Sequence, residues 1–151
     1  MNMLDSYVYN VNLDWKYGRS GELQAEGMPK IDFSAPPEFS GEAGKWTPEH
    51  LLVAATVSCF TATFMAVAEH YKLAVHGLRI SAFARLEKVP GEGHRFTEIT
   101  LVPELHVDHD AVETALKVIA KAEKNCFVAK SLKATIQVEP KFVTENETVA
   151  V

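Results

Sequence analysis

Cysteine is nearly absent from this chain, with two residues in 151, Cys59 and Cys126. Two are too few for a disulfide scaffold. A separation of 67 residues (126 − 59) fits no short C-x-x-C zinc or thioredoxin-like motif. An excess of basic residues is lacking too. With 15 Lys and Arg against 20 Asp and Glu, the formal charge is −5. That excludes a sequence-independent nucleic-acid binder, which needs clustered cations to replace counterions along phosphates. No uninterrupted apolar run of 18 or more residues is present, which argues against a bilayer span. Met1-Asn2-Met3-Leu4-Asp5-Ser6 lacks the positive and apolar regions of a secretory signal. The expectation is a cytoplasmic protein with neither membrane nor nucleic acid as partner. In a reducing compartment any Cys59–Cys126 bond would be transient, one stage of a cycle. A G-x-S-x-G elbow is missing around Ser58 and Ser131, which removes the serine-hydrolase reading.

What is present suits one domain over 1–151. Hydrophobic residues make up 47% and charged residues 23%, near the globular average, so the chain can bury a core. Tyr9, Val11, Leu13, Trp15 and Tyr17 alternate with polar residues, as in a strand with one wet face. Gly18-Arg19-Ser20-Gly21 then turns the chain into a second strand through Leu23 and Ala25, and Ile31–Phe33 adds a short third. Arg19 therefore sits at a hairpin tip. The Pro-, Gly- and Ser-rich stretch 34–45 reads as a loop.

Thr47 as N-cap, Pro48 in the first helical position and Glu49 at the positive end of the dipole predict a helix running to about Tyr71. It is apolar nearly all round from Leu51 to Ala68, which predicts burial in the middle of the molecule. A hairpin follows, turning at Pro90-Gly91-Glu92-Gly93. Asp108 or Asp110 is then expected to cap a helix with Val112, Leu116, Ile119 and Ala122 on its apolar face, ending near Asn125. A last strand spans 134–138, and the tail from Thr144 is expected to be loosely held. The order β-β-β-α-β-β-α-β is an α+β fold of antiparallel strands around a long central helix.

Cys59 is the candidate nucleophile. A thiol attacks a peroxide or disulfide as thiolate, of which about 3% is present at neutral pH for an unperturbed thiol. A guanidinium nearby raises that fraction without ever deprotonating, and Arg19, steadied by the Glu49 carboxylate, is the candidate. Each has a plainer explanation: two buried thiols, a solvated turn arginine, and a carboxylate favoured by the helix dipole. Ten helical residues separate Glu49 from Cys59, about 15 Å along the axis. If both serve one site, Glu49 must come from a partner subunit whose helix runs the opposite way.

Pro48-Glu49 followed ten residues later by Cys59-Phe60, Gly18-Arg19-Ser20-Gly21 in the first hairpin, and Cys126 shortly before Ser131-Leu132-Lys133 together resemble the OsmC/Ohr family of peroxide-reducing proteins. The resemblance covers about 7–139. It implies an OsmC-like fold, an intertwined homodimer, and an antioxidant thiol peroxidase of the oxidative stress response that acts on organic hydroperoxides or hydrogen peroxide. Cys59 would be the peroxidatic thiolate, Cys126 the resolving thiol that closes a transient disulfide, and Arg19 with Glu49 the activating pair. A dithiol reductant, such as a lipoyl-carrying protein, would restore the thiols, and no cofactor or metal is implied. Many members carry proline directly after the second cysteine, where this chain has Phe127.

Other classes compete. One is a non-catalytic OsmC-like module binding a small molecule or acyl ligand in an apolar pocket, and another is a redox sensor that reacts stoichiometrically. His106-Val107-Asp108-His109-Asp110 is the densest histidine group, yet three-residue spacing at a strand end and the lack of a third ligand favour solvated loop residues over a metal site. His50 and His70 read as surface or interface residues. Phe33 and Phe39 either line a pocket or anchor their loop to the core.

Overall fold

A computed structural model describes residues 5–144 and 147–150. The chain divides into two compact units, one ending at Leu52 and one beginning at Val53.

The first unit is a three-stranded antiparallel sheet, β1 (Asn12–Tyr17), β2 (Ser20–Gln24) and β3 (Ile31–Ser34), in the order β1-β2-β3. The hairpin turn is tighter than expected. Tyr17 pairs with Ser20, so Gly18 and Arg19 alone make the loop, and Gly18 takes the positive φ (51°) that a glycine-first hairpin turn requires. The loop after β3 is anchored by polar bonds. Ser34 Oγ accepts from Ser20 Oγ (2.8 Å) and from Glu42 N–H (2.8 Å), while Ala35 N–H donates to Arg19 O (3.1 Å). Gly41 lies so close to the Ala35 carbonyl that an added Cβ would stand 1.5 Å from its oxygen, so only glycine fits.

Helix α1 (Pro48–His70) matches its sequence signals. Thr47 Oγ1 accepts the His50 N–H (3.0 Å), satisfying an amide the helix cannot use, and the oxygen also meets His50 Nδ1 (2.7 Å). The hydroxyls inside the helix fold back onto it: Ser58 onto Ala54 O, Thr61 onto Val57 O and Thr63 onto Cys59 O (2.8, 2.9 and 2.8 Å). Two expectations need correction. The helix is not buried all round, because only the i, i+4 stripe Thr56, Phe60, Phe64, Ala68 is fully covered while Ala55, Ala62, Met65 and Ala66 are exposed. By length and composition it would also qualify as a membrane span, with mean hydropathy 2.0. Phe60, Phe64 and Ala68 instead belong to the protein core.

In the second unit β4 (Gly77–Val89) and β5 (Gly93–His106) form the expected hairpin, with a register shift at Arg85/Leu86. Helix α2 (Val112–Asn125) then returns the chain to β6 (Thr135–Val138). The sheet is mixed, not purely antiparallel. A helix joining neighbouring strands carries the chain back to the same end, so β6 pairs parallel to β5. β7 (Lys141–Thr144) continues along the same edge, also parallel to β5, and pairs antiparallel with β8 (Glu147–Ala150). The tail is thus part of the sheet, and Phe142 is among the most buried side chains.

The core lies between this sheet and the helices: Phe60, Phe64, Ile99, Leu101, Leu105, Val118 and Phe142 are its large members. The buried stripe of α2 is Ala115, Val118, Ile119, Ala122, one position round from the expected face, leaving Val112 and Leu116 half-buried. Neither Asp108 nor Asp110 caps α2. It grows out of a 3₁₀ turn, His109–Ala111, and the Asp108 carboxylate pairs with His76 Nε2 (3.0 Å).

Candidate functional site

Cys59 lies on α1 beside the buried stripe, half-exposed, with Thr63 one turn further along the same face. Cys126 lies where α2 stops. Its extended backbone (φ −68°, ψ 114°) breaks the helix and starts a four-residue helix that the sequence reading missed, α3 (Phe127–Lys130). Cys126 is 1% exposed and Phe127, immediately after it, 76%. Both thiols are free.

The two thiols act on each other. The Cys126 thiol and the backbone N–H groups of Val128 and Phe127 act on the Cys59 thiol to lower its pKa, while the Thr63 hydroxyl donates to the Cys59 carbonyl. Burial works to raise the Cys59 thiol pKa, the largest single effect, but these donors stabilise the anion and together hold it below the ordinary thiol value. Cys126 moves the other way. Burial raises it, the contact with Cys59 and its charge raise it further, and the Ala129 and Val128 amides only partly offset this. The two thiols are thus shifted in opposite directions, Cys59 toward easier ionisation and Cys126 away from it, each acting on the other.

A cavity of about 280 Å³ is lined by residues of α1 and α2, among them Thr63 and Asn125, the latter next to Cys126 in the chain; neither cysteine lines it. Val67 contributes to its apolar lining, and Lys121, whose ammonium lies 5.8 Å from the Tyr71 ring centre, to its polar lining.

In the first unit Arg19 is exposed at the hairpin turn and its Nη1 donates to the Phe39 carbonyl. Glu49 occupies the first turn of α1. Within one chain no ion pair between Arg19 and Glu49 occurs among the described residues, and Glu49 Oε2 is buried without a hydrogen-bond partner there. Phe39 is exposed, while Phe33 is half-buried and lines an apolar recess of about 430 Å³ with Leu13, Leu23 and Leu51.

His76 pairs with Asp108 and His106 with Glu104 (3.5 Å), and no group of three or more ligating side chains occurs among the described residues.

Residues 41–141 match the family described as OsmC-like protein. The chain belongs to that family. Among solved structures, an OsmC-like protein of unknown function from Vibrio cholerae superposes with a TM-score of 0.82 at 22% identity, covering 89% of this chain and 99% of that one. The organic hydroperoxide resistance protein OhrB of Bacillus subtilis superposes at 0.67 with 20% identity, covering 91% and 98%. An uncharacterized Bacillus subtilis protein, YmaD, is 23% identical over 143 residues, 91% of this chain and 93% of its own length. At these identities the OsmC-like fold is what is shared. The amide donors to Cys59 are what the sequence reading overlooked, since backbone N–H groups leave no residue signature. A short turn with an exposed, non-proline residue after Cys126 was the available signal.

Proposed function

We propose that this OsmC-like protein is a cysteine-based thiol peroxidase that reduces organic hydroperoxides or hydrogen peroxide. The reading is supported by the two free thiols acting on each other, with Cys59 held below the ordinary thiol pKa and Cys126 above it. In this scheme the Cys59 thiolate attacks the terminal peroxide oxygen. The O–O bond breaks, an S–O bond forms, and the departing alkoxide takes a proton and leaves as alcohol, or as water from hydrogen peroxide. Cysteine is oxidised to sulfenic acid by the two electrons that reduce the peroxide. Cys126 then loses its proton and attacks the Cys59 sulfur, expelling the oxygen as water and closing the disulfide. A dithiol reductant, such as a protein-bound lipoyl group, reopens it by exchange and leaves as its own disulfide.

The acting unit in this reading is a homodimer. Leu13, Trp15 and Tyr17 on one face of β1 are 53%, 70% and 55% exposed, and the outer face of α1 is apolar and uncovered. The partnerless Glu49 oxygen supports the same view, because a buried carboxylate oxygen without a donor is costly until a partner supplies one. Arg19 and Glu49 then act as the polar pair of the assembled site.

The test is steady-state oxidation of a dithiol by the pure protein in the presence of cumene hydroperoxide, hydrogen peroxide or neither. Turnover that depends on peroxide and disappears in Cys59→Ser is expected. Full activity in Cys59→Ser would remove the mechanism, and stoichiometric oxidation without turnover would make the protein a sensor.

A further inference from the structure

Helix α2 turns its Ala115, Val118, Ile119, Ala122 stripe inward, so Lys117, Lys121 and Lys124, spaced by four and then three residues, share the opposite, exposed face. The lysines do not stop with the helix. Lys130 and Lys133 follow, both exposed, so residues 112–133 hold five lysines and two glutamates, a formal +3. The rest of the chain has 10 basic and 18 acidic side chains, a formal −8. One basic face stands on an acidic molecule. Lys117 and Lys133 are partly spent within the chain, 3.8 Å from Glu113 and 3.7 Å from Glu92. Lys121, Lys124 and Lys130 make no ion pair among the described residues. Phe127 joins them with 76% of its surface exposed. Lys124 and Lys130 line a cleft of about 410 Å³ together with Ala129, while Lys121 and Asn125 line the 280 Å³ cavity. The two hollows thus reach the chain on either side of Cys126.

We propose that the face built by Lys121, Lys124, Phe127 and Lys130 docks the dithiol reductant, a folded protein whose thiols are set in an acidic surface. The proposal rests on the peroxidase reading, which needs an external dithiol at the cysteine pair once per cycle. That dithiol supplies two electrons and two protons, restores both cysteine thiols and leaves as its own disulfide. Charge complementarity selects the partner. The −8 remainder repels an acidic domain everywhere else, so the unpaired lysines steer it to the one segment that carries Cys126. A bare aromatic ring beside charged side chains then serves as the anchor of a small interface, with the lysines as its polar rim. A long polyanion fits less well, because it would run off this short face onto the acidic remainder.

The probe is an isolated lipoyl domain of net negative charge in its dihydrolipoyl form, titrated at low salt into the ¹⁵N-labelled, fully reduced protein. Amide shifts centred on residues 121–130 are expected, with binding that weakens as salt is added. The triple variant Lys121→Glu, Lys124→Glu, Lys130→Glu should bind roughly tenfold more weakly, and Phe127→Ser severalfold more weakly, with both folds checked by circular dichroism. Reduction of the oxidised protein gives the second readout. The triple variant should be slowed about tenfold with the lipoyl domain and left unchanged with free dihydrolipoamide, which is uncharged and needs no docking face. Shifts that are absent or centred elsewhere, or equal affinity in the triple variant, would overturn the proposal. So would lysine-dependent binding of a duplex oligonucleotide or of phosphatidylglycerol vesicles in place of the domain. The titration needs neither peroxide nor a disulfide, so a failed docking face and a failed peroxidase assay are separate results.

Discussion

Replacing Cys126 by alanine or by serine separates what its thiol does for Cys59 from what its bulk does. Each variant has one cysteine left, so iodoacetamide consumption counts Cys59 alone. Two effects compete. Burial is the largest influence on Cys59 and raises its pKa, so trimming residue 126 rehydrates the sulfur somewhat and favours the thiolate. The lost S–H donor favours the neutral thiol. Serine and alanine both shed bulk, but serine keeps a donor stronger than the thiol it replaces. The comparison of serine with alanine therefore isolates the hydrogen bond. A weak donor to an anion contributes about 1 kcal/mol, or about fivefold in thiolate fraction. A Brønsted slope near 0.45 returns about half of that on a logarithmic scale, so at pH well below the midpoint Cys126→Ala should react about two to three times slower than Cys126→Ser. The midpoint should lie highest in the alanine variant. The sign follows from the depressed Cys59 pKa: reactivity is full above the folded-state midpoint and falls as pH drops through it. Equal midpoints, or a lower one for alanine, would refute the claim that Cys126 stabilises the Cys59 anion.

Three further outcomes follow from the packing. Phe64→Ala empties a fully buried site next to Phe60, whose ring centre lies 6.1 Å away, and should cost about 3–5 kcal/mol in urea unfolding. Thr47→Ala removes the acceptor for the His50 N–H and should cost about 1 kcal/mol by the same measurement, with unchanged denaturant slope. Trp15→Glu places a charge on the exposed β1 face and should convert a sedimenting dimer into monomer, whereas an unaltered dimer would remove β1 from the proposed interface.

The long elements were legible because their periodicity is long. Thirteen residues of β4 and fourteen of β5, around Pro90-Gly91-Glu92-Gly93, announce a hairpin, and Thr47-Pro48-Glu49 announces the start of α1. The short ones were not. Four residues of α3, β7 or β8 hold too little pattern, and nothing in the sequence marks Phe142 as a core residue until β5 supplies the edge it pairs with. The all-round apolarity of α1 misled in an instructive way. Full burial is the ordinary consequence of such a composition, yet one chain covers only the Thr56–Phe60–Phe64–Ala68 stripe. In the candidate site, Cys59 and Cys126 were read from their neighbours, and in the structure each acts on the other's pKa. The source of the Cys59 pKa shift was not legible, because amide donors from Phe127 and Val128 depend on a turn that only folding creates.

The mass of the protein after brief exposure to one equivalent of hydroperoxide tests the central claim most directly. The account predicts loss of two hydrogens, mapped to a Cys59–Cys126 disulfide and reversed by a dithiol, with no such loss in Cys59→Ser. A chain that stays fully reduced at that dose would contradict it.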